Sequence, residues 1–156
     1  MDMKEWLNGL RKAERKKAMP ILSFPAVQLM GISVRELISD SDRQAEGMQR
    51  IAERVDAAAS VSLMDLSVEA ECFGSQIVVS EDEVPTVKGS IVSTVEEVDA
   101  LKVPPVGAGR TGIYIEAVSR ANDEITDRPV FAGLIGPYAL ARRPAARTAV
   151  RLYGSA

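Results

Sequence analysis

Residues 61–74 read VSLMDLSVEAECFG, and the reading of this stretch decides the fold. Val61, Leu63 and Met64 form the short apolar run of a strand buried on both faces. The run stops at Asp65, after which Glu69 and Glu71 follow in a predicted loop. A carboxylate placed straight after a buried strand has two readings. It is a turn or capping residue, or it is the floor of a site at the mouth of a parallel sheet. The flanking chain has to decide between them.

Working upstream, Ser41 with Gln44 makes a capping-box start for a helix whose Ala45, Met48, Ile51, Ala52 and Val55 form one apolar stripe. Ser33–Ile38 reads as a short helix before it. Met19–Pro25 reads as the first core strand, bracketed by prolines, and residues 2–18 as an amphipathic helix with Trp6, Leu7 and Leu10 on one face and a solvated basic face opposite. Working downstream, Gln76–Val79, an acidic turn and Val87–Val92 give an antiparallel hairpin inserted into the helical layer, with Pro85 and Gly89 at edge or bulge positions. Thr94 with Glu97 opens another short helix. Ile113, Ala117, Ala121 and Ile125 mark a longer one over 110–125, and Val130–Ile135 is an all-apolar strand that runs into Gly136 and Pro137. Doubly buried strands alternating with helices predict a parallel sheet covered by helices. Right-handed crossovers then place Phe24, Asp65 and Gly136 on one edge of it, the edge where such folds carry their sites.

The composition narrows the chemistry. At 156 residues, 46% apolar and 26% charged, the chain has the makeup of one globular domain. Its net charge of −3 and dispersed basic residues argue against nucleic acid. There is no histidine and one cysteine, Cys72. That excludes a disulfide within the chain, His-dependent catalytic pairs and His-containing zinc sites, and leaves carboxylates, arginines, tyrosines and backbone groups. Without a histidine to activate it, Cys72 reads as a small packed residue, and Tyr114 and Tyr138 read as core or pocket-wall residues. Gly107–Gly112, GAGRTG, is close to a dinucleotide fingerprint, but a proline loop and not a strand precedes it. No stretch has the length of a membrane span or the apolar core of a signal peptide, so a cytoplasmic location is expected.

In order along the chain, PILSFPAVQLMGIS, SLMDLSVEAECFG, a loop ending in GR before a YIEA helix, and PVFAGLIGPYALA resemble the uroporphyrinogen decarboxylase superfamily. Within it they look most like the corrinoid-dependent methyltransferases of the methylcobamide:coenzyme M type. The resemblance runs over roughly residues 3–142, and Asp65–Gly74 is its most specific part. It implies an α/β chain, the N-terminal half of a TIM (β/α)8 barrel with parallel strands, helices and the inserted β-hairpin, and a site at the C-terminal mouth of the strands. Asp65 matches the position at which the decarboxylases keep an aspartate that engages the pyrrole nitrogens of the porphyrinogen, and is the expected catalytic residue. Glu69, Glu71, Gly136 and Pro137 carry over as substrate-binding residues lining the mouth. In the methyltransferases that mouth faces a methylated corrinoid carried by a partner protein.

Two departures shape the expectations. The arginine motif that the decarboxylases carry early in the chain is not matched by SFPAVQLMG. The zinc of the methyltransferases is held by histidine and cysteine ligands in the second half of the barrel, so no cofactor is expected within this chain, while corrinoid (cobalamin) and zinc are implied for the full-length family. A barrel takes about 250 residues, so residues 1–142 read as a partial barrel domain and the Arg- and Ala-rich 143–156 as a divergent basic tail, from truncation or a shifted reading frame; its alternative is a short basic helix. Three functions stay open: methyl transfer from a methylated corrinoid protein to a thiol or similar acceptor, decarboxylation of a tetrapyrrole, and a non-catalytic half-barrel that associates with a partner or with itself through its open sheet edge.

Overall fold

The computed structural model describes residues 1–141; the expected basic tail over 143–156 lies outside the described residues. The chain opens with α1 (Met3–Lys12), started by Asp2, whose side chain accepts from the backbone N–H groups of Lys4 and Glu5. The helix ends at Lys12, short of the predicted residue 18. Trp6 fixes it to the rest of the molecule: its indole N–H donates to the Ala58 carbonyl at 3.2 Å and its ring stands tilted against Phe131, centroids 5.7 Å apart.

The predicted first strand is corrected by the structure. Residues 19–22 run without strand pairing into a turn at Ser23–Pro25 and then α2 (Ala26–Met30). The segment still runs beside the next strand: Ala58 N–H donates to the Ala18 carbonyl at 2.8 Å and Ser23 Oγ donates to the Ser62 carbonyl at 3.0 Å. Both contacts advance in the same direction along the two chains, as in a parallel pair. Pro20 and Pro25 have no N–H to give, which interrupts the ladder that would define a strand.

Two helices follow. Ser33 caps α3 (Val34–Ile38) in a reciprocal box with Glu36. The longer α4 (Ser41–Arg54) is capped by Asp40, which accepts from Arg43 N–H, so the cap lies one residue before the predicted Ser41. Then comes β1 (Ser60–Val61), and the stretch expected to be a loop forms α5 (Val68–Cys72). The predicted antiparallel hairpin is present, β2 (Gln76–Val78) with β3 (Thr86–Lys88), but its second strand ends at Lys88, before Gly89, and not at the predicted Val92. The carbonyl of Glu81 in its turn accepts from Val34 N–H at 2.7 Å, docking the hairpin on the start of α3. The capping box of Thr94 and Glu97 opens α6 (Val95–Asp99). The glycines of GAGRTG form a turn into α7 (Thr111–Glu124): Gly107 has φ 82°, and a Cβ on Gly112 would lie 2.9 Å from the Gly107 carbonyl oxygen. Last come β4 (Val130–Phe131) and α8 (Pro137–Ala141).

The predicted parallel pairing is present. β1 and β4 pair in parallel, Ser60 with Val130 and Val61 with Phe131, and α7 lies between them in sequence. A layer formed by α4 and α7 covers the pair. Ala45 and Met48 of α4 pack with Ala121 and Ile125 beside α7, with Val130 of β4 against them. The small side chains at Ala45, Ala117 and Ala121 let the two helices approach closely. A second cluster joins Val34, Leu37 and Ile38 of α3 to Leu63, with Phe24 and Tyr114 against it.

The ladder is shorter than predicted at both strands. After Val61 and Phe131 the backbones diverge and side chains take over the pairing: Gly133 N–H donates to Ser62 Oγ at 2.8 Å, and Ile135 N–H donates to Glu69 Oε1 at 3.1 Å. A glycine is needed at 133 because Met64 lies over it, and a Cβ there would be 2.6 Å from Met64 Cγ. The diverging ends of β1 and β4, with α7 beneath, leave a cavity at the C-terminal edge of the pair.

Candidate functional site

Asp65 ends the run that leaves β1 and its side chain has no solvent exposure. A bare carboxylate could not be buried there, and its two oxygens are taken by donors. Oδ1 accepts from Ser67 N–H at 2.9 Å and Ser67 Oγ at 2.6 Å, the first being the local turn contact typical of an aspartate two residues upstream. Oδ2 accepts from Arg110 Nη1 at 2.6 Å and from Tyr114 OH at 3.1 Å. The aspartate makes a turn, and its side chain also stands in the wall of the cavity.

Arg110 is the hub of the network. Its Nε donates to Glu71 Oε2 at 2.6 Å and its Nη2 to Ser67 Oγ at 3.0 Å, so one guanidinium ties the end of β1, α5 and the start of α7. Burial alone would lower its pKa; the hydrogen bond and charge of Asp65, followed by those of Glu71, overcome this and hold it above its ordinary value. Burial pushes the Tyr114 phenol well above its ordinary value, and the negative charge of Asp65 adds to the shift. Tyr114 is thus a neutral hydrogen-bond donor throughout the physiological range.

The cavity has a volume of about 350 Å³ and largely apolar walls, including Leu63, Met64, Leu66, Val118, Leu134 and Ile135. Asp65, Glu69, Thr111 and Tyr114 supply its polar points. Glu69 spans the mouth of the strand pair: Oε1 holds the Ile135 amide, while Oε2 is buried with no hydrogen-bond partner among the described residues. Of the predicted site residues, Asp65 and Glu69 lie in this wall, and Glu71 stands behind it through Arg110. Gly136 and Pro137 follow Ile135 on the exposed side and do not line the cavity. Phe24 packs on the Leu63 cluster. Cys72, at the end of α5, donates from Sγ to the Ala108 carbonyl at 2.9 Å, a packing contact to the turn before α7.

Arg110 was given no place in the site by the sequence reading, and Tyr114 was read only as a core or pocket-wall residue; the structure brings both onto Asp65. Their signal is the four-residue spacing that puts them on one face of the first turn of α7, together with the cation that a buried aspartate requires.

Zinc was implied for the full-length family, and the residues of this chain do not fit it. Among the described residues no three His, Cys, Asp or Glu side chains are grouped to hold a metal, and the one cysteine faces a backbone carbonyl. No metal step is assigned to this chain.

An acid–arginine–tyrosine framework beneath an apolar cavity, at the C-terminal end of parallel strands covered by helices, defines an α/β protein with a cavity at the strand mouth, the place where such folds carry their sites. The chain belongs to the uroporphyrinogen decarboxylase family, whose model matches residues 16–145. A curated relative, the methylcobamide:CoM methyltransferase MtbA of Methanosarcina acetivorans, is 30% identical over 80 residues, which is 50% of this chain and 24% of that protein. Among solved structures, a methyltransferase from Methanosarcina mazei superposes with a TM-score of 0.75 at 18% identity, over 92% of this chain and 45% of its own. The chain thus spans about a quarter of the one relative's length and just under half of the other's. The likeness to the solved structure is one of fold, parallel strands with covering helices.

Proposed function

We propose that this chain forms the N-terminal half of a barrel that transfers a methyl group from a methylated corrinoid, carried by a partner protein, to a thiol or similar acceptor. The observation that carries this reading is the apolar cavity at the C-terminal ends of β1 and β4, built on the Asp65–Arg110–Tyr114 framework. The similarity to a methylcobamide:CoM methyltransferase supports the methyl-transfer chemistry. The superposition of nearly the whole chain on 45% of a methyltransferase supports the half-barrel.

The volume is near the lower end of ligand pockets, about 300–1,000 Å³, so a corrinoid lies across the mouth and only a small group enters. Asp65 then serves as a positioning residue. All its contacts go to donors of this chain, and it fixes Tyr114 and Arg110 in the wall. The decarboxylase reading is less well supported, because Arg110 is held by Asp65 and Glu71 and, among the described residues, no lysine or arginine lines the cavity to meet acidic side chains of a porphyrinogen.

Beyond β4 the described residues place no further strand, and Leu134 and Tyr138, which follow it in the chain, are exposed. In the half-barrel reading this is the side on which the remaining strands pack, whether they come from the same polypeptide or from another.

Amide NMR during separate titrations with methylcobalamin and with a porphyrinogen tests the reading. Methylcobalamin is expected to shift the amides of Gly133 and Ile135 at the cavity. A response to the porphyrinogen alone, with decarboxylated product, would replace methyl transfer with the decarboxylase reading. Silence from both removes the tetrapyrrole-facing site.

A further inference from the structure

The cavity runs from an exposed rim to a buried inner end. Leu134, Ile115 and Leu66 at the rim are 70%, 52% and 38% exposed, whereas Ile135 and Leu63 at the inner end are 6% and 3% exposed. All five side chains are hydrocarbons, so a guest that reaches inward lies along apolar wall, and each methylene it buries adds to its binding. Met64 and Gly133 stand between the two ends, in the wall where β1 and β4 diverge. The Met64 side chain lies over the glycine so closely that a Cβ there would be 2.6 Å from its Cγ and 3.3 Å from its Sδ. The backbone at this point is fixed, since Gly133 N–H donates to Ser62 Oγ at 2.8 Å. A methionine ordinarily adapts to whatever space it is given. With a Cβ at position 133 the thioether is the part that has to move, and the space beside it is the cavity it already lines. Met64 and Gly133 therefore set together how much room a guest finds.

We infer that the acceptor entering this cavity is a thiol on an unbranched apolar chain, tail inward and sulfur at the rim, and that Met64, lying on Gly133, is the specificity-determining residue that limits the length of that chain. The inference rests on the methyl-transfer reading of this cavity and gives the class of acceptor: sulfur at the rim is within reach of a corrinoid that lies across the mouth.

The test is an amide NMR titration of the whole chain with straight-chain thiols from ethanethiol to hexanethiol, read at Gly133 and Ile135. Affinity is expected to rise about fourfold per added methylene, the worth of one buried methylene, until a limiting length and then to stop rising. Met64→Ala removes Cγ, Sδ and Cε and should move the limit to a longer chain, whereas Gly133→Ala should move it to a shorter one. A general loosening of the packing would weaken every thiol alike and leave the limit where it was, so a merely structural role of Met64 is told apart. The same limit with and without the Met64 side chain overturns the inference. So does affinity that fails to rise with chain length, or binding that leaves Gly133 and Ile135 unmoved; these two criteria need only the unsubstituted chain. A length limit set by Met64 without any response to methylcobalamin keeps the selectivity and removes the methyl-transfer reading. A methylcobalamin response with no thiol bound in the cavity does the reverse.

Discussion

Arg110 shows how much of the site depends on one side chain. Its guanidinium meets Asp65, Glu71 and Ser67 in three directions, and Asp65 is wholly buried. Removing one partner of a buried pair costs more than the pair contributes, because the other charge stays behind unpaired. Arg110→Met is therefore expected to lower unfolding stability by about 3–5 kcal/mol, read from urea midpoints at constant slope. Arg110→Lys should recover only part of this, since an ammonium cannot reproduce the planar fork that spans two acids. Asp65→Asn combined with Arg110→Met should cost less than the sum of the two. The sequence exposed Asp65 by its position after an apolar run. It did not expose Arg110 as its partner, because the two are 45 residues apart and their meeting depends on where α7 starts relative to β1.

At the scale of elements, the parallel pair is held by a two-residue ladder and then by side chains. Gly133 is the close approach that permits this, and its tolerance can be measured. Gly133→Ala is expected to cost about 1–3 kcal/mol by overpacking against Met64, and Gly133→Ala with Met64→Ala should be less destabilised than the two single changes added together. A urea-unfolding double-mutant cycle decides this, and strict additivity would count against the contact. Elements with local signals were legible from the sequence: the capping box at Thr94, the short helix over Ser33–Ile38, the apolar stripe of α7 and the hairpin. The strands were legible as apolar runs but not in their length, since a run of Val and Phe does not reveal that a glycine and a serine end the ladder. The Met19–Pro25 run is strand-like in pattern and direction, yet its prolines withhold the donors a strand needs. α5 was missed because Val68–Cys72 is one short turn without a side-chain cap.

At the scale of the whole molecule, surface carboxylates join the elements and make stability depend on pH. Glu36 accepts from the Ser33 amide and from Arg43, linking α3 to α4; these contacts hold its pKa below the ordinary 4.5. Asp56 pairs with Lys17, and Asp127 with Arg128, whose Nη1 also donates to the Val55 carbonyl; each acid is held below its ordinary 3.8 by that partner. A carboxylate with a lowered folded pKa adds stability that is full above the unfolded value and fades as pH falls through the folded one. The melting temperature should therefore drop as pH falls below 4.5, and Glu36→Gln should flatten the first part of that decline in a thermal scan series. The cavity draws on three short pieces of chain, 62–69, 111–118 and 132–135. The excursion through β2, β3 and α6 supplies none of its lining; among its contacts with the rest, Glu81 docks on α3 and Val79 meets the Leu63 cluster. A change in the length or charge of that excursion therefore leaves the lining of the cavity as it is, so the outer face of the hairpin and the cavity wall can vary independently of each other.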